Sequence, residues 1–304
     1  MATTNPYRRP GRWLRGNTHS HSTESDGKLP LADRFAQYRD GGYQFLVLTD
    51  HGKVSSVAAH STPEFLAISG SELHPPNPYG GDRYHFVAIN LYEPVPYENR
   101  HPNEVIQAVR DQGGLAVVCH PYWCGHTLRD LAPLEGYFAV EVYNDTCQRI
   151  GKGYSEPHWD DLLDTAGPCW GIASDDAHSV DEDVFHGWVM VKAEELTLPA
   201  VLQAFQEGAF YSTQGPEIRD MDVRVGEIPS GTHPPRQAPV VSVECSPAQT
   251  IVFKGQRSRG ARFAAPPGET ITRAEYPVLS SEKYVRVEIT DPQGRRAWSN
   301  PVFF

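Results

Sequence analysis

No stretch of this 304-residue chain approaches the roughly 18 consecutive apolar residues that a membrane-crossing helix needs. The opening run, MATTNPYRRPGRWLRGN, carries basic residues with no apolar segment behind them, so a secretory leader is not expected. Cysteines are few and unpatterned: Cys119, Cys124, Cys147, Cys169 and Cys245 are odd in number and show no CxxC spacing. That argues against a disulfide framework, and free or buried thiols in a reducing cytosol are the expectation. Basic residues are outnumbered, 27 against 38 acidic ones, giving a formal net charge of −11. Such a chain has no general attraction for a nucleic-acid backbone. A small phosphorylated substrate is still compatible, because bound cations can supply positive charge locally. No GxSxG elbow is present, so a covalent serine mechanism lacks support.

What is present is a regular alternation. From Leu29 to about Pro216, helical patterns such as LPLADRFAQYRDGG, PNEVIQAVRDQGG and LPAVLQAFQEG follow short apolar runs such as FLVLTDH, EFLAISGSE, RYHFVAINLY, LAVVCHP, YFAVEVYND, CWGIASDDAH and HGWVMV. Pro30 and Pro102 sit at helix starts, and Gly-Gly pairs stop the first two helices. Strands alternating with helices predict parallel pairing and an α/β architecture. After about Glu217 the texture changes to short alternating strands separated by Gly and Pro turns, with no helical pattern. Residues 1–216 and 217–304 therefore read as an α/β domain and a small, sandwich-like antiparallel β domain.

The polar residues fall in a telling place. His19 and His21 follow the first short strand segment, WLRGNT, and alternate residues of an extended chain point to one face. His51 ends FLVLTDH, Glu72 ends FLAISGSE, His120 ends LAVVCHP, and Asp176 and His178 end CWGIASDDAH. His85 lies near the start of its strand. In folds with parallel strands the carboxyl ends converge on one rim, where sites are built. Imidazoles suit Zn, Mn or Fe, and a carboxylate such as Glu72 can bridge two cations. With 13 histidines some fall near strand ends by chance, and one His-x-His is a weak signal. Two one-apart pairs, with three further ligand types at other strand ends, are much harder to reach by accident. The number of donors exceeds what one tetrahedral site takes, so more than one metal is implied.

HSHSTESDGKLP, FLVLTDH, GSELHP, CHP and ASDDAH resemble, in order and spacing, the successive motifs of the PHP (polymerase and histidinol phosphatase) family, over roughly residues 13 to 190. The C-terminal RRAWSNPVFF is similar to the tail of its CehA/McbA-like branch. The resemblance implies a distorted (β/α)7 barrel carrying two or three divalent metal ions (Zn, Mn or Fe). His19 and His21 would bind one metal with Glu72 and Asp176. Glu72 would bridge to a second held by His85 and His120. Asp26, His51 and His178 would hold the third. Some relatives carry histidine where this chain has Asp26, and a carboxylate there is a harder, more anionic donor.

The chemistry this implies is hydrolysis of a small phosphomonoester or phosphodiester by metal-activated hydroxide, with Glu72, Asp176 and His178 as the catalytic assignments. The same site could serve a carboxylic or carbamate ester or an amide, and a non-enzymatic PHP-like binding module is the third reading. Among secondary candidates, Arg83 and Lys53 could hold a substrate phosphate, or be solvated loop cations. Tyr122, Trp123 and His126 could form an aromatic wall. Asp50 reads as a group that orients a histidine, Asp175 as either a supporting or a plain loop carboxylate, and Tyr143 and Asn144 as pocket lining or strand ends. The remaining histidines, His60, His74, His101, His158, His186 and His233, are by default surface or core residues, His74 drawing attention because it follows Glu72 by two.

Overall fold

A computed structural model of the chain describes residues 5–230 and 233–304, with the side chains of 228–236, and so His233, outside the described set. The first half runs β1 (Arg12–Asn17), α1 (Leu31–Asp40), β2 (Phe45–Leu48), β3 (Leu66–Leu73), β4 (Phe86–Ile89), α2 (Pro102–Asp111), β5 (Leu115–Val118) and α3 (Leu128–Leu131). It continues through β6 (Ala139–Asn144), α4 (Asp145–Gln148), α5 (Glu156–Thr165), β7 (Trp170–Ser174), β8 (Trp188–Ala193), α6 (Leu198–Gln206) and β9 (Phe210–Thr213). Only strands follow: β10 (Ile218–Ser230), β11 (His233–Ala248), β12 (Thr250–Gly255), β13 (Gly260–Ala264), β14 (Ile271–Pro277), β15 (Tyr284–Thr290), β16 (Arg296–Ser299) and β17 (Val302–Phe303).

One large sheet has the order β13-β12-β15-β16-β9-β8-β1-β2-β3-β4-β5-β6-β7, with β17 beside β15, while β10, β11 and β14 form a second sheet. The large sheet thus runs without a break from one half of the chain into the other, through β9 against β16. Pairing is mixed rather than parallel throughout: β1–β2–β3 and β5–β6–β7 are parallel, but β4 is antiparallel to both its neighbours. No helix separates β3 from β4, so the chain turns back and pairs directly, as a short connection permits. β8 is likewise antiparallel to β1 and β9.

A closed ladder is not formed among the described residues. The sheet curls until β7 meets β9, and there side chains replace the missing backbone pairing. The Ser212 hydroxyl accepts from the Ala173 N–H at 2.9 Å and donates to the Gly171 carbonyl at 2.8 Å. Asn300 Oδ1 accepts from the Gly171 N–H at 3.0 Å. The interior of the curl is filled by Leu14, Val47, Ile68, Val87, Val117, Ile172, Val189 and Phe205 from α6, all buried. Helices α2 and α5 pack outside on Phe86, Val118, Val140 and Val142. All five cysteines are free and buried, and among the described residues no helix is long and apolar enough to cross a membrane.

Candidate metal centre

Five strands, β1, β2, β3, β5 and β7, deliver donors at their carboxyl ends, and β4 delivers one at its start. Being antiparallel, β4 begins on the rim where its neighbours end, which puts His85 beside them although it precedes Phe86. The centre of the arrangement is Glu72, a buried carboxylate facing six imidazoles. Its Oε2 lies 3.4 Å from His19 Nε2, 3.5 Å from His21 Nε2 and 2.9 Å from His51 Nδ1. Its Oε1 lies 2.7 Å from His85 Nδ1, 3.4 Å from His120 Nε2 and 3.6 Å from His74 Nε2. Each oxygen therefore has its own trio.

Asp176 Oδ1 is 3.1 Å from the Nε2 atoms of both His19 and His21, so the two rings of the His-Ser-His segment do converge on one point. Asp26, at the rim and half exposed, sits 3.3 Å from His51 Nε2 and 3.4 Å from His178 Nε2. Gly27 is needed behind it, because a Cβ there would lie 2.5 Å from the His21 carbonyl carbon. All nine residues that the motifs single out are thus brought into one cluster.

Whether the cluster suits cations is answered by its unshared lone pairs. His19 Nδ1 meets Glu141 Oε1 at 2.8 Å, so the ring carries its proton on Nδ1 and leaves Nε2 bare. That Nε2 is buried with no hydrogen-bond partner, yet two carboxylate oxygens face it. A lone pair opposed to carboxylate oxygens at 3.1–3.4 Å is unfavourable unless a positive charge lies between them. His178 repeats the pattern, donating from Nδ1 to the Asp176 carbonyl at 2.8 Å and turning Nε2 toward Asp26. Hydrogen bonds of this kind fix the tautomer of metal-binding histidines. Two of the positions are also strained, His120 at φ 27° and Asp176 at φ 57°, conformations that a non-glycine residue holds only when its surroundings insist.

In the metal-free cluster protons take the place of that positive charge. Burial alone would raise the Glu72 carboxyl, but the facing imidazoles, His19 first, hold it well below the usual carboxylate range. Burial would lower His19, and Asp176, Glu141 and Glu72 together push it up instead. His85 is lowered because burial prevails over its single carboxylate neighbour. Without cations the cluster can be neutral only by holding protons among these groups.

Several supporting residues differ from the sequence reading. Glu141, inside β6, accepts from His19, from the His120 N–H at 2.9 Å, from Ser174 Oγ at 2.6 Å and from Asn144 Nδ2 at 3.0 Å. Nothing in the motifs points to it. His74 belongs to the cluster rather than to the background, its Nε2 3.1 Å from His51 Nδ1. Asp50 orients no histidine directly; it accepts from the Ser22 N–H and hydroxyl and from Ser25 Oγ, which holds the loop carrying Asp26. Asp175 is a buried knot that accepts from Asn17, Tyr38 and the N–H groups of Phe185, His186 and Gly187. Asn144 donates to both Glu141 and Asp176, whereas the Tyr143 hydroxyl turns to Asp145.

The cluster floors a cavity of about 230 Å³ lined by Asp26, His51, Glu72, His85, His120, Trp123, Thr146, Cys147, Asp176 and His178. Trp123 closes one wall, its ring 5.2 Å from His120 and 5.6 Å from His85. Arg83 and Lys53 do not line it: Arg83 donates to the His74 carbonyl, and Lys53 to that of Glu24. Tyr122 faces His158 instead, and His126 is buried against the Asp82 carbonyl. A larger cavity of about 420 Å³ lies against Tyr7, Trp170 and Phe303, and it contains none of these clustered donors.

No protein-family model matches the sequence, and no curated protein matches it. The fold is shared with a two-domain protein from Bacteroides vulgatus described as containing a predicted PHP-like metal-dependent phosphoesterase. That likeness has 16% identity and a TM-score of 0.54, covering 98% of this chain and 97% of that one. A proposed metal-dependent phosphoesterase from Bifidobacterium adolescentis is more distant, at 14% identity and a TM-score of 0.41 over 54% of this chain and 87% of that one. An amidohydrolase from Chromobacterium violaceum with bound sulfate stands at 16% identity and 0.40, over 56% and 89%. The last two are too remote in shape to bear on the site.

Proposed function

We propose that the chain is a metal-dependent hydrolase of the PHP type, CehA/McbA-like, acting on a small phosphomonoester or phosphodiester. The observation that carries this reading is Glu72 set between two trios of imidazoles, with His19 Nε2 buried and bare beside it. Divalent cations in such a donor set lower the pKa of bound water toward ~7 and neutralise charge on the ester oxygens. His19, His21, Glu72 and Asp176 form the first holding group, Glu72, His85 and His120 the second, and Asp26, His51 and His178 the third. Glu141 and the Asp176 carbonyl keep the Nδ1 protons on His19 and His178, so that each Nε2 is turned to the carboxylates of the cluster. Trp123 forms one wall of the cavity. On this reading residues 1–216 carry the reaction in a distorted (β/α)7 barrel, and residues 217–304 form the β domain.

One feature favours a second reading, a carboxylic or carbamate ester or an amide. Among the described residues the cavity lining includes no lysine or arginine, so a dianionic phosphate would depend on the cations alone for neutralisation. The test is a panel of aryl phosphates, phosphodiesters, acetates and carbamates, offered to protein stripped of metal and reloaded with Mn, Zn or Fe. Turnover of the phosphates supports the first reading. Turnover confined to acetates or carbamates moves the assignment to the second, and full activity without metal would overturn both.

A further inference from the structure

We infer that the C-terminal strands act, through α5, as a clamp that positions the aromatic lip of the site, residues 121–127. The catalytic reading enters only in what the lip faces. Helix α5 carries carboxylates at Glu156, Asp160 and Asp164, spaced four apart and so on one face. Each is engaged by the C-terminal strands. Glu156 Oε1 lies 2.6 Å from Arg296 Nη1 and 3.3 Å from Trp298 Nε1. Asp160 accepts from Arg286 Nε at 2.8 Å and lies 3.5 Å from Lys254 Nζ. Asp164 accepts from the Tyr284 hydroxyl at 3.0 Å and from the Arg257 N–H at 3.0 Å. Arg286 is fully buried, its guanidinium over the Trp159 ring at 4.3 Å and its second carboxylate partner Glu288 at 2.6 Å. A buried charge so enclosed resists sliding of α5, because a shift takes away Asp160 and the Trp159 ring and leaves Glu288 as its one carboxylate partner.

The other side of α5 holds the lip. Ser155 occupies the N-cap position, where a serine normally accepts from its own helix. It makes no such bond. Its hydroxyl accepts instead from the Tyr122 N–H at 3.3 Å. His158, one turn on, lies 3.0 Å from the His126 carbonyl through Nε2. Between these two anchors the lip makes a tight turn, with Gly125 at φ 69° and its N–H on the Tyr122 carbonyl, and presents Trp123 to the cavity. Trp123 itself is 42% exposed, and its ring packs against His85 and His120. Its position follows the lip backbone, which α5 holds at Tyr122 and His126 beside the contact of His126 with the Asp82 carbonyl.

Backbone hydrogen exchange of the full-length protein tests this without any substrate. Asp160→Ala leaves Arg286 paired with Glu288, Glu156→Gln is a milder change at the separate contact with Arg296 and Trp298, and Ser155→Ala cuts the link at the lip. Each should speed exchange of residues 121–127 by about tenfold while β1–β3 remain protected. On whichever ester proves active, each should raise KM by about fivefold with kcat and metal content little changed. Unaltered lip exchange in the folded variants overturns the inference, and so does loosening of the lip only together with the whole chain. Failure of every ester would overturn the catalytic reading and leave the exchange result standing.

Discussion

His19 Nδ1 lies 2.8 Å from Glu141 Oε1, and that contact, buried on both sides, holds the ring proton on Nδ1 and turns Nε2 to Glu72 and Asp176. Glu141→Gln keeps the shape but offers His19 only a neutral acceptor, or an amide N–H that would force the other tautomer. Metal affinity should fall by roughly 10–100-fold, the usual effect of losing such a partner. A competition titration against a chromophoric chelator measures it directly. Equal affinity in the variant would show that Glu141 only fills space.

Metal loading should also be visible in stability. A cation that binds the folded state alone adds about 2.7 kcal/mol at one hundred times its dissociation constant. Stripping the protein with chelator should therefore lower its Tm by several degrees, and adding back Mn, Zn or Fe should restore it. His21→Ala and Glu72→Ala should abolish turnover and remove most of this metal-dependent rise. A Tm indifferent to metal in the wild type would argue that the cluster is a protonated network.

One hydroxyl, that of Ser212, makes two of the hydrogen bonds across the seam between β7 and β9. Ser212→Ala leaves the buried Ala173 N–H and Gly171 carbonyl without that partner, each costing about 1–3 kcal/mol. We expect a loss of about 2–4 kcal/mol, read from a urea midpoint, with the m-value unchanged. A shift well below 1 kcal/mol would mean that the edges close up on each other.

Much of this was legible in the residues themselves. Asp and His at the ends of apolar runs marked the rim, because strand ends in an α/β sheet share a side. His85 and the direction of β4 were harder. Parallel pairing follows from helices between strands, and the Pro- and Gly-rich segment from Pro75 to Gly81 is no helix. Glu141 was hidden in AVEVYN, where a single acid in a fully buried strand was the available signal. His74 falls by default among the background histidines in the sequence, yet its loop places it against His51 and His85. Helix α5 was masked by its own charges, with apolar Trp159, Leu162 and Leu163 interleaved among acids that face the C-terminal strands. Which acids are buried by partners from far along the chain is a property of tertiary contact that local pattern does not contain.

The pH response of the C-terminal strands follows from Glu288. Burial would raise its carboxyl, but Arg286 at 2.6 Å and Lys254 at 2.9 Å hold it below the ordinary value of 4.5. A depressed folded pKa means that the unfolded chain takes up the proton first as pH falls. The stabilising contribution is therefore present above about pH 4.5 and is lost progressively below it, as Glu288 protonates in the folded protein. Glu288→Gln, which mimics the protonated state, should lower Tm at pH 7. Its deficit relative to wild type should shrink as pH drops below 4.5. Calorimetric scans at several pH values read that difference. A deficit constant down to acid pH would show that Glu288 acts through its shape and not through its charge.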